Sequence, residues 1–420
     1  MIKKIVTKIL IWEAKWALAK HKPKIISITG SVGKSSTKEM ISCVLDKRFN
    51  VRRSPKSYNS EIGFALSILG LPTYFNRGFG WIKNMVLGFF EIWNKRFPEI
   101  LVLEMGIDRP KDMERLLLIA VPDIAVVTAV GEIPVHVEFF SGSEEIANEK
   151  SKILKFLRSD DYAVLNFDDD AVYNMREKTK AKVVSFGFGD HADFQASNNK
   201  SSLDGVTFRV DREGAFVPVR IKEALGKHNI YPALAAFAVG EILGLNLIEI
   251  AEYLSLCPLP PGRMKMIEGI KNSKLIDDTY NSSPMAVHAA LDTLEELSAK
   301  RKIAVLGDML EIGKYTIEAH KAMGQKMRKV AEILITVGPR SKFAYNEAVA
   351  LGFPKDKIFH FSTSKEAGIA VKNLIEEGDL ILVKGSQGMR MERVVEEIMA
   401  NPENAEKLLV RQDRYWKRKL

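Results

Sequence analysis

A chain of 420 residues, 46% hydrophobic and 27% charged, has material for two or three ordinary domains and more than one core. Its net charge of +9, from 62 basic and 53 acidic residues, suits a phosphate-bearing ligand, and no basic run interleaved with aromatics offers a nucleic-acid stacking surface. Two cysteines, Cys43 and Cys257, lie far apart and in no metal-like spacing, which argues against a disulfide framework and for a reducing, cytoplasmic compartment.

Residues 2–20 read as an amphipathic helix. Ile2, Ile5, Val6, Ile9, Leu10, Trp16 and Ala17 fall on one face, and Lys4, Lys8 and Lys15 on another. The basic start does not make a secretory signal, because Glu13 and Lys15 break the apolar stretch and no cleavage site follows. The run Met85–Phe90 falls far short of the ~20 residues a spanning helix needs.

After Pro23, Lys24–Thr29 is a short apolar strand. It runs directly into Gly30-Ser31-Val32-Gly33-Lys34-Ser35, and a helix follows over Ser35–Val44. Further strands are expected at Ile100–Leu103, Asp123–Thr128, Tyr162–Asn166 and Lys182–Phe186, with helices at Met113–Ile119 and Ser143–Leu157. That alternation is the grammar of a parallel sheet with helices on its faces. Residues 193–221 alternate like an antiparallel flap, and 229–254 read as helical. Cys257-Pro258-Leu259-Pro260-Pro261-Gly262 is a stiff linker. A second alternation follows, with strands at Lys274–Asp277, Lys302–Leu306, Glu332–Val337 and Leu380–Val383. The expected fold is α/β: a central parallel-sheet ATPase domain with a P-loop over 24–258, then a Rossmann-like domain over 259–420. The helix of 1–23 stands in front.

The strand–loop–helix around Gly30 is a phosphate cradle. Glycines let backbone N–H groups turn toward an anion at a helix N-terminus. Lys34 would reach the terminal phosphates and Ser35 would ligate magnesium. Its G-x-x-G-K-S spacing is shorter than the common form, and an ordinary glycine turn is the bland alternative. Glu104 ends a strand, where the carboxyl ends of a parallel sheet face the ligand crevice, and could hold Mg²⁺ opposite Ser35. His136 follows the strand at Asp123–Thr128, and Lys150 lies on a helix. Singly, such a histidine is usually structural and such a lysine solvated. Asp277 and Asp278 end a strand and could serve a metal, a ribose or a capping turn.

Taken together, these segments resemble the Mur ligase family, and within it the members that add D-alanyl-D-alanine. The resemblance runs through Ile25–Lys38, Tyr58-Asn59-Ser60-Glu61-Ile62-Gly63, Glu104-Met105-Gly106, Ser143–Lys150, Gly226-Lys227-His228-Asn229, Pro261-Gly262-Arg263-Met264, Ile276–Asn281, Leu306-Gly307-Asp308-Met309 and Val383-Lys384-Gly385-Ser386. The order and spacing carry the specificity, since each motif alone is weak. The resemblance implies ATP-dependent, ADP-forming amide ligation in peptidoglycan precursor synthesis. ATP phosphorylates a muropeptide-type carboxylate, and an amine, D-alanyl-D-alanine or another, attacks the acyl phosphate.

The resemblance also implies site roles. Gly30 to Ser36 (Gly30, Ser31, Val32, Gly33, Lys34, Ser35, Ser36) bind phosphate, and one Mg²⁺ sits on Ser35 and Glu104. A second lies near His136 and Lys150, the lysine carbamylated. His228 and Asn229 approach adenine, Arg263 the phosphates and Asp277 the ribose. Lys34, His136 and Lys150 are then the catalytic candidates.

Three departures from the family pattern matter. Only residues 1–23 precede the central domain, where the family carries a uridine-nucleotide domain, so a non-UDP or lipid-linked acceptor is an alternative. Pro232 stands where a further asparagine is usual. Tyr74–Phe97, with Trp81, Trp93 and several phenylalanines, looks inserted. Segments 74–97 and 1–22 are expected to pack on each other or on the protein, with peripheral contact at the inner membrane face as the alternative. A non-catalytic nucleotide-binding partner of a cell-wall complex is the third class, against which the retained Lys34, Ser35, Glu104, His136 and Lys150 argue.

Overall fold

The computed structural model describes residues 2–55, 60–73, 78–134 and 136–417. Tyr58 and Asn59 of the Tyr58–Gly63 motif, and residues 74–77 of the aromatic-rich segment 74–97, lie outside the described residues.

The first part begins with α1 (Ile2–His21), β1 (Lys24–Thr29), α2 (Lys34–Leu45), β2 (Val51–Arg53), α3 (Glu61–Leu69) and α4 (Gly78–Glu91). It continues through β3 (Ile100–Glu104), α5 (Asp112–Leu117), β4 (Ile124–Val127), α6 (Ser143–Lys155), β5 (Tyr162–Asn166) and α7 (Asp170–Tyr173). Then come β6 (Lys182–Gly187), β7 (Phe194–Ser202), β8 (Gly205–Arg212), β9 (Ala215–Lys222), α8 (Ile230–Ile242) and α9 (Leu247–Ser255). Its nine strands form one sheet in the order β2-β3-β1-β4-β5-β6-β7-β8-β9. The strands from β2 to β7 pair in parallel, and β7, β8 and β9 pair antiparallel. β1 lies between β3 and β4, so the strand order reverses there. The crevice outside the carboxyl ends of these strands is where such a sheet receives a ligand.

Past the linker come β10 (Lys265–Glu268), β11 (Lys274–Asp278), α10 (Pro284–Glu296), β12 (Lys302–Gly307), α11 (Thr316–Val330) and β13 (Ile333–Val337). They are followed by α12 (Lys342–Ala350), β14 (Ile358–Phe361), α13 (Ser364–Leu374), β15 (Leu380–Lys384) and α14 (Glu392–Ile398). The second sheet has the order β10-β11-β15-β12-β13-β14, parallel except for β10.

Several expectations change. The helical segments expected over 229–254 are two, α8 and α9, parted where Gly244 takes φ +84° and Asn246 caps α9 in a box with Glu249. Strands β2, β10 and β14 are too short and too charged at their flanks to read from periodicity. Cys43 on α2 and Cys257 at the linker are joined as a disulfide, against the expectation from their spacing. Sequence separation is no guide here, because α2 packs directly on α8 and α9 and carries the two positions together.

α1 packs on α3 and α4, as expected of an internal partner, but its apolar residues are divided. Val6, Leu10, Ala14 and Ala17 are buried with Phe64 and Leu69, whereas Ile5, Trp12 and Trp16 face outward. Glu13 is buried against Gly88 of α4, and burial raises its carboxyl from 4.5 to about 7. Among the described residues, no helix is long and apolar enough to cross a membrane.

Candidate active site

The phosphate loop is shaped by its neighbours just past the end of β4. Gly30 has φ +140° and Gly33 φ +87°, both in the region that favours glycine. Thr128 Oγ1 donates toward the carbonyls of Thr29 (3.1 Å) and Val32 (2.6 Å), and Ser31 N–H donates to Ala129 O at 2.5 Å. The loop is therefore pinned to the end of β4, with its helix α2 starting at Lys34. Lys34 Nζ donates to Gly30 O (2.9 Å) and Ser31 O (3.3 Å), and burial lowers its pKa.

Ser35 is the junction of the site. Its hydroxyl donates to Glu104 Oε2 at 3.1 Å, and Arg263 Nη2 from beyond the linker donates to it at 3.3 Å. Arg263 is held in place by stacking over Tyr280, 3.9 Å from the ring centre. Both sheets thus meet at the loop, across a cleft of about 3270 Å³. Ser31, Val32, Gly33, Lys34, Ser35 and Ser36 line it, as do Glu104, His136, His228, Asn229 and Arg263.

The cleft is lined by polar atoms without protein partners: Ser31 Oγ, His228 Nδ1, Arg263 Nε and Ser282 Oγ. Buried polar groups are nearly always bonded, so this concentration fits a polar ligand such as a nucleotide. Burial holds His228 neutral, with its pKa lowered to about 4. The hydroxyl–carboxylate pair of Ser35 and Glu104 suits magnesium, which takes oxygen ligands and keeps waters or phosphates as the rest of its shell. Among the described residues no group of three or more His, Cys, Asp or Glu forms a ready-made metal cage.

Other expected residues are placed differently. Lys150 does not line the cleft. It is buried beneath the loop and donates to Gly30 O at 2.8 Å. Burial, and next the neighbouring Lys34, push its pKa well down. His136 has separate partners: Nε2 is 3.4 Å from Asp108 Oδ1, and Nδ1 is 2.8 Å from Glu311 Oε2 beyond the linker. Both ring nitrogens already face carboxylates, and imidazole is a poor ligand for magnesium. A second magnesium on His136 and Lys150 does not fit these positions.

Asn229 is turned toward its own turn, with Nδ2 donating to Leu225 O at 2.8 Å. Asp277 is fully buried and not on the cleft wall. Its Oδ2 accepts from Gly262 N–H (3.0 Å) and its Oδ1 from Thr279, so it braces the linker instead of meeting a ribose. Burial raises its carboxyl to about 6. The next residue, Asp278, lines the cleft and pairs with the buried Lys384 from the end of β15.

Two cleft residues, Asp108 and Glu311, went unselected in the sequence, and Lys384 stood there only within the segment Val383-Lys384-Gly385-Ser386, with no role of its own. Asp108 lies four positions past Glu104 in the same strand-end loop, and that proximity was the available signal. Glu311 follows β12 of the second sheet and reaches His136 only because the two sheets meet, whereas Lys384 meets Asp278 within the second sheet, where β15 pairs with β11.

The profile of the Mur ligase middle domain matches residues 28–240, and that of the Mur ligase glutamate ligase domain matches residues 262–387. The chain belongs to the Mur ligase family. It is 31% identical to UDP-N-acetylmuramoyl-tripeptide–D-alanyl-D-alanine ligase of Bacillus subtilis (strain 168), over 93% of this chain and 79% of that protein. The enzyme of the same name from Escherichia coli (strain K12) is 27% identical over 92% and 79%. The crystal structure of MurF ligase from Thermotoga maritima in complex with ADP superposes with a TM-score of 0.76 at 26% identity, covering 96% of this chain and 84% of that one. Folylpolyglutamate synthase of Mycobacterium tuberculosis shares the fold at 15% identity and a TM-score of 0.66. The Mur ligase fold alone therefore leaves the acceptor open.

Proposed function

We propose that this Mur ligase is an ATP-dependent, ADP-forming amide ligase that joins D-alanyl-D-alanine to a muramoyl-tripeptide acceptor in peptidoglycan precursor synthesis, on the cytoplasmic side of the membrane. The observation that carries it is the contact of Arg263 and Glu104 on one hydroxyl, Ser35, at the head of the phosphate loop. The Bacillus subtilis relative, named for that reaction, supplies the substrates.

In this reading a carboxylate oxygen of the acceptor attacks the γ-phosphorus of ATP, and the bond to ADP breaks. The amine of D-alanyl-D-alanine then attacks the acyl carbon, inorganic phosphate leaves, and the amine gives up its proton. Such transfers need charge neutralisation and positioning more than covalent help. Lys34 leaves its loop carbonyls for the terminal phosphates, and Arg263 meets the same charge from the other side. Ser35 and Glu104 would hold magnesium, which would supply neutralisation of phosphate charge. His136 and Glu311 pair across the cleft and favour the closed form that excludes water.

Lys150 becomes carbamylated in this reading. Burial and the neighbouring Lys34 disfavour its charged form, so the amine adds CO₂ and gives up a proton, and the carbamate N–H can keep its bond to Gly30 O while the new charge lies near Lys34. A lipid-linked acceptor is the second reading, favoured by the outward apolar residues of α1 and α4.

Phosphate release tests the proposal, measured with ATP, UDP-muramoyl tripeptide and D-alanyl-D-alanine and with each left out. Turnover that needs all three, and that is abolished in Lys34→Ala, is the expected result. Equal turnover without D-alanyl-D-alanine, or with the acceptor replaced by an unrelated carboxylate, overturns it.

A further inference from the structure

α1 and α4 together present an outward face that the fold leaves uncovered. On α1, Ile5, Trp12 and Trp16 point away from the core at helical spacing, with Trp12 54% exposed. On α4 and the turn after it, Ile82, Val86, Phe89, Phe90 and Trp93 do the same, with Phe90 64% and Trp93 56% exposed. The two stripes are one surface. Trp16 packs edge-on against Phe89 (6.4 Å between ring centres) and against Trp93 (6.1 Å), and Trp12 packs on Trp16 at 4.9 Å. Scattered exposed apolar residues are ordinary, but a joined aromatic cluster of this kind marks an interaction site.

The charges around it have one sign. Lys4, Lys8 and Lys15 are exposed along one flank of the α1 stripe, and Lys20 lies on the other, its Nζ 3.5 Å from the Trp93 ring centre. Lys83, Lys95 and Arg96 are exposed on the α4 side. The acids of these two helices do not offset them. Glu13 is buried, and Glu91 is paired with Arg52 at 2.9 Å. Neither helix contributes a residue to the nucleotide cleft, so covering this face leaves the cleft open.

We propose that this face docks on the surface of an anionic phospholipid bilayer. Tryptophan and phenylalanine enter the headgroup boundary, and the lysines reach sideways to lipid phosphates. The helices lie on the bilayer and do not cross it. Charge decides against a second copy of the chain as the occupant, since a two-fold contact would set lysine against lysine. The inference holds whether or not the proposed ligation is correct.

Co-sedimentation of the full chain with phosphatidylglycerol–phosphatidylcholine vesicles tests it, against vesicles of phosphatidylcholine alone. Binding to the anionic vesicles only, falling as salt rises above about 0.1 M, is expected. The triple variant Lys4→Glu, Lys8→Glu, Lys15→Glu lowers partitioning roughly a hundredfold, because each lysine near such a surface contributes about a fivefold factor. Trp12→Ser, Phe90→Ser, Trp93→Ser lowers it at least about tenfold. All six positions are exposed, so ADP binding is unchanged and serves as the check on folding. Absence of binding by the native chain overturns the proposal, as does binding that both variants retain. A native dimer that the serine variant disperses, without vesicle binding, also overturns it and assigns the face to a second copy.

Discussion

Gly30→Ala tests the reading of the phosphate loop most directly. A Cβ built on Gly30 would overlap Thr128 Oγ1 and lie 3.1 Å from both the backbone nitrogen and oxygen of Ala129. The backbone atoms follow β4 directly and are bridged to Val32, so they cannot swing away. Holding alanine at φ +140° costs about 1–3 kcal/mol. Displacing Thr128 gives up its hydrogen bond to the loop, about 1 kcal/mol more. Gly30 O also anchors Lys34 and Lys150, so its movement is felt by both amines. Nucleotide binds the undistorted loop, so the total of about 2–4 kcal/mol appears as a loss of roughly 30- to 1000-fold in ADP affinity. Isothermal titration calorimetry with ADP measures this. Adding Thr128→Ala to the variant relieves only the side-chain overlap and restores part of the loss. A Gly30→Ala protein that binds ADP within about threefold of the native chain would refute the geometry of the loop.

Four further outcomes are expected. Lys150→Ala cripples turnover, with partial recovery on adding a short carboxylic acid; full activity without additive rules out the carbamate. Glu13→Gln flattens the dependence of stability on pH. In the native chain the stabilising neutral form is fully present below about pH 4.5 and is lost as pH rises through about 7, a term of up to about 3 kcal/mol; parallel melting curves for the two proteins would show that Glu13 is not buried as described. Replacing Cys43 and Cys257 together by serine lowers unfolding stability by about 2–4 kcal/mol, read by denaturant titration under oxidising conditions; two freely titrating thiols in the native chain would contradict the bridge. Glu311→Gln weakens closure across the cleft and raises the KM for ATP about two- to fivefold, the modest size set by the half-exposed His136 pair; an unchanged KM would mean the pair does not hold the sheets together.

The legible parts of this molecule were those written in consecutive residues. The loop Gly30–Ser35 declares itself because a strand, two glycines, a lysine and a helix start must adjoin to cradle phosphate. Glu104 was legible for a related reason: a carboxylate at the end of an apolar run is a carboxylate at the crevice of a parallel sheet. The errors have equally definite causes. In β11 successive side chains point to opposite faces, so a shift of one residue exchanges Asp277, which braces the linker, for Asp278, which faces the cleft. Periodicity finds that α1 has an apolar side, but Val6 and Trp12 count alike in such a pattern, and only the positions of α3 and α4 decide which is buried.

The same limit explains the catalytic side. Glu311 matters here through a contact made where the second sheet meets the first, and Lys384 through the pairing of β15 with β11. Each meets a partner more than a hundred residues distant, at His136 and Asp278. One consequence joins the two halves of the site. Asp277 fixes the turn at Gly262, and the next residue is Arg263, which reaches Ser35. The residue expected to touch ribose thus sets the position of the arginine expected to touch phosphate. A structural brace and a binding group are coupled through one backbone turn. Loosening Asp277 should therefore weaken phosphate recognition at Ser35 without altering any residue that lines the cleft.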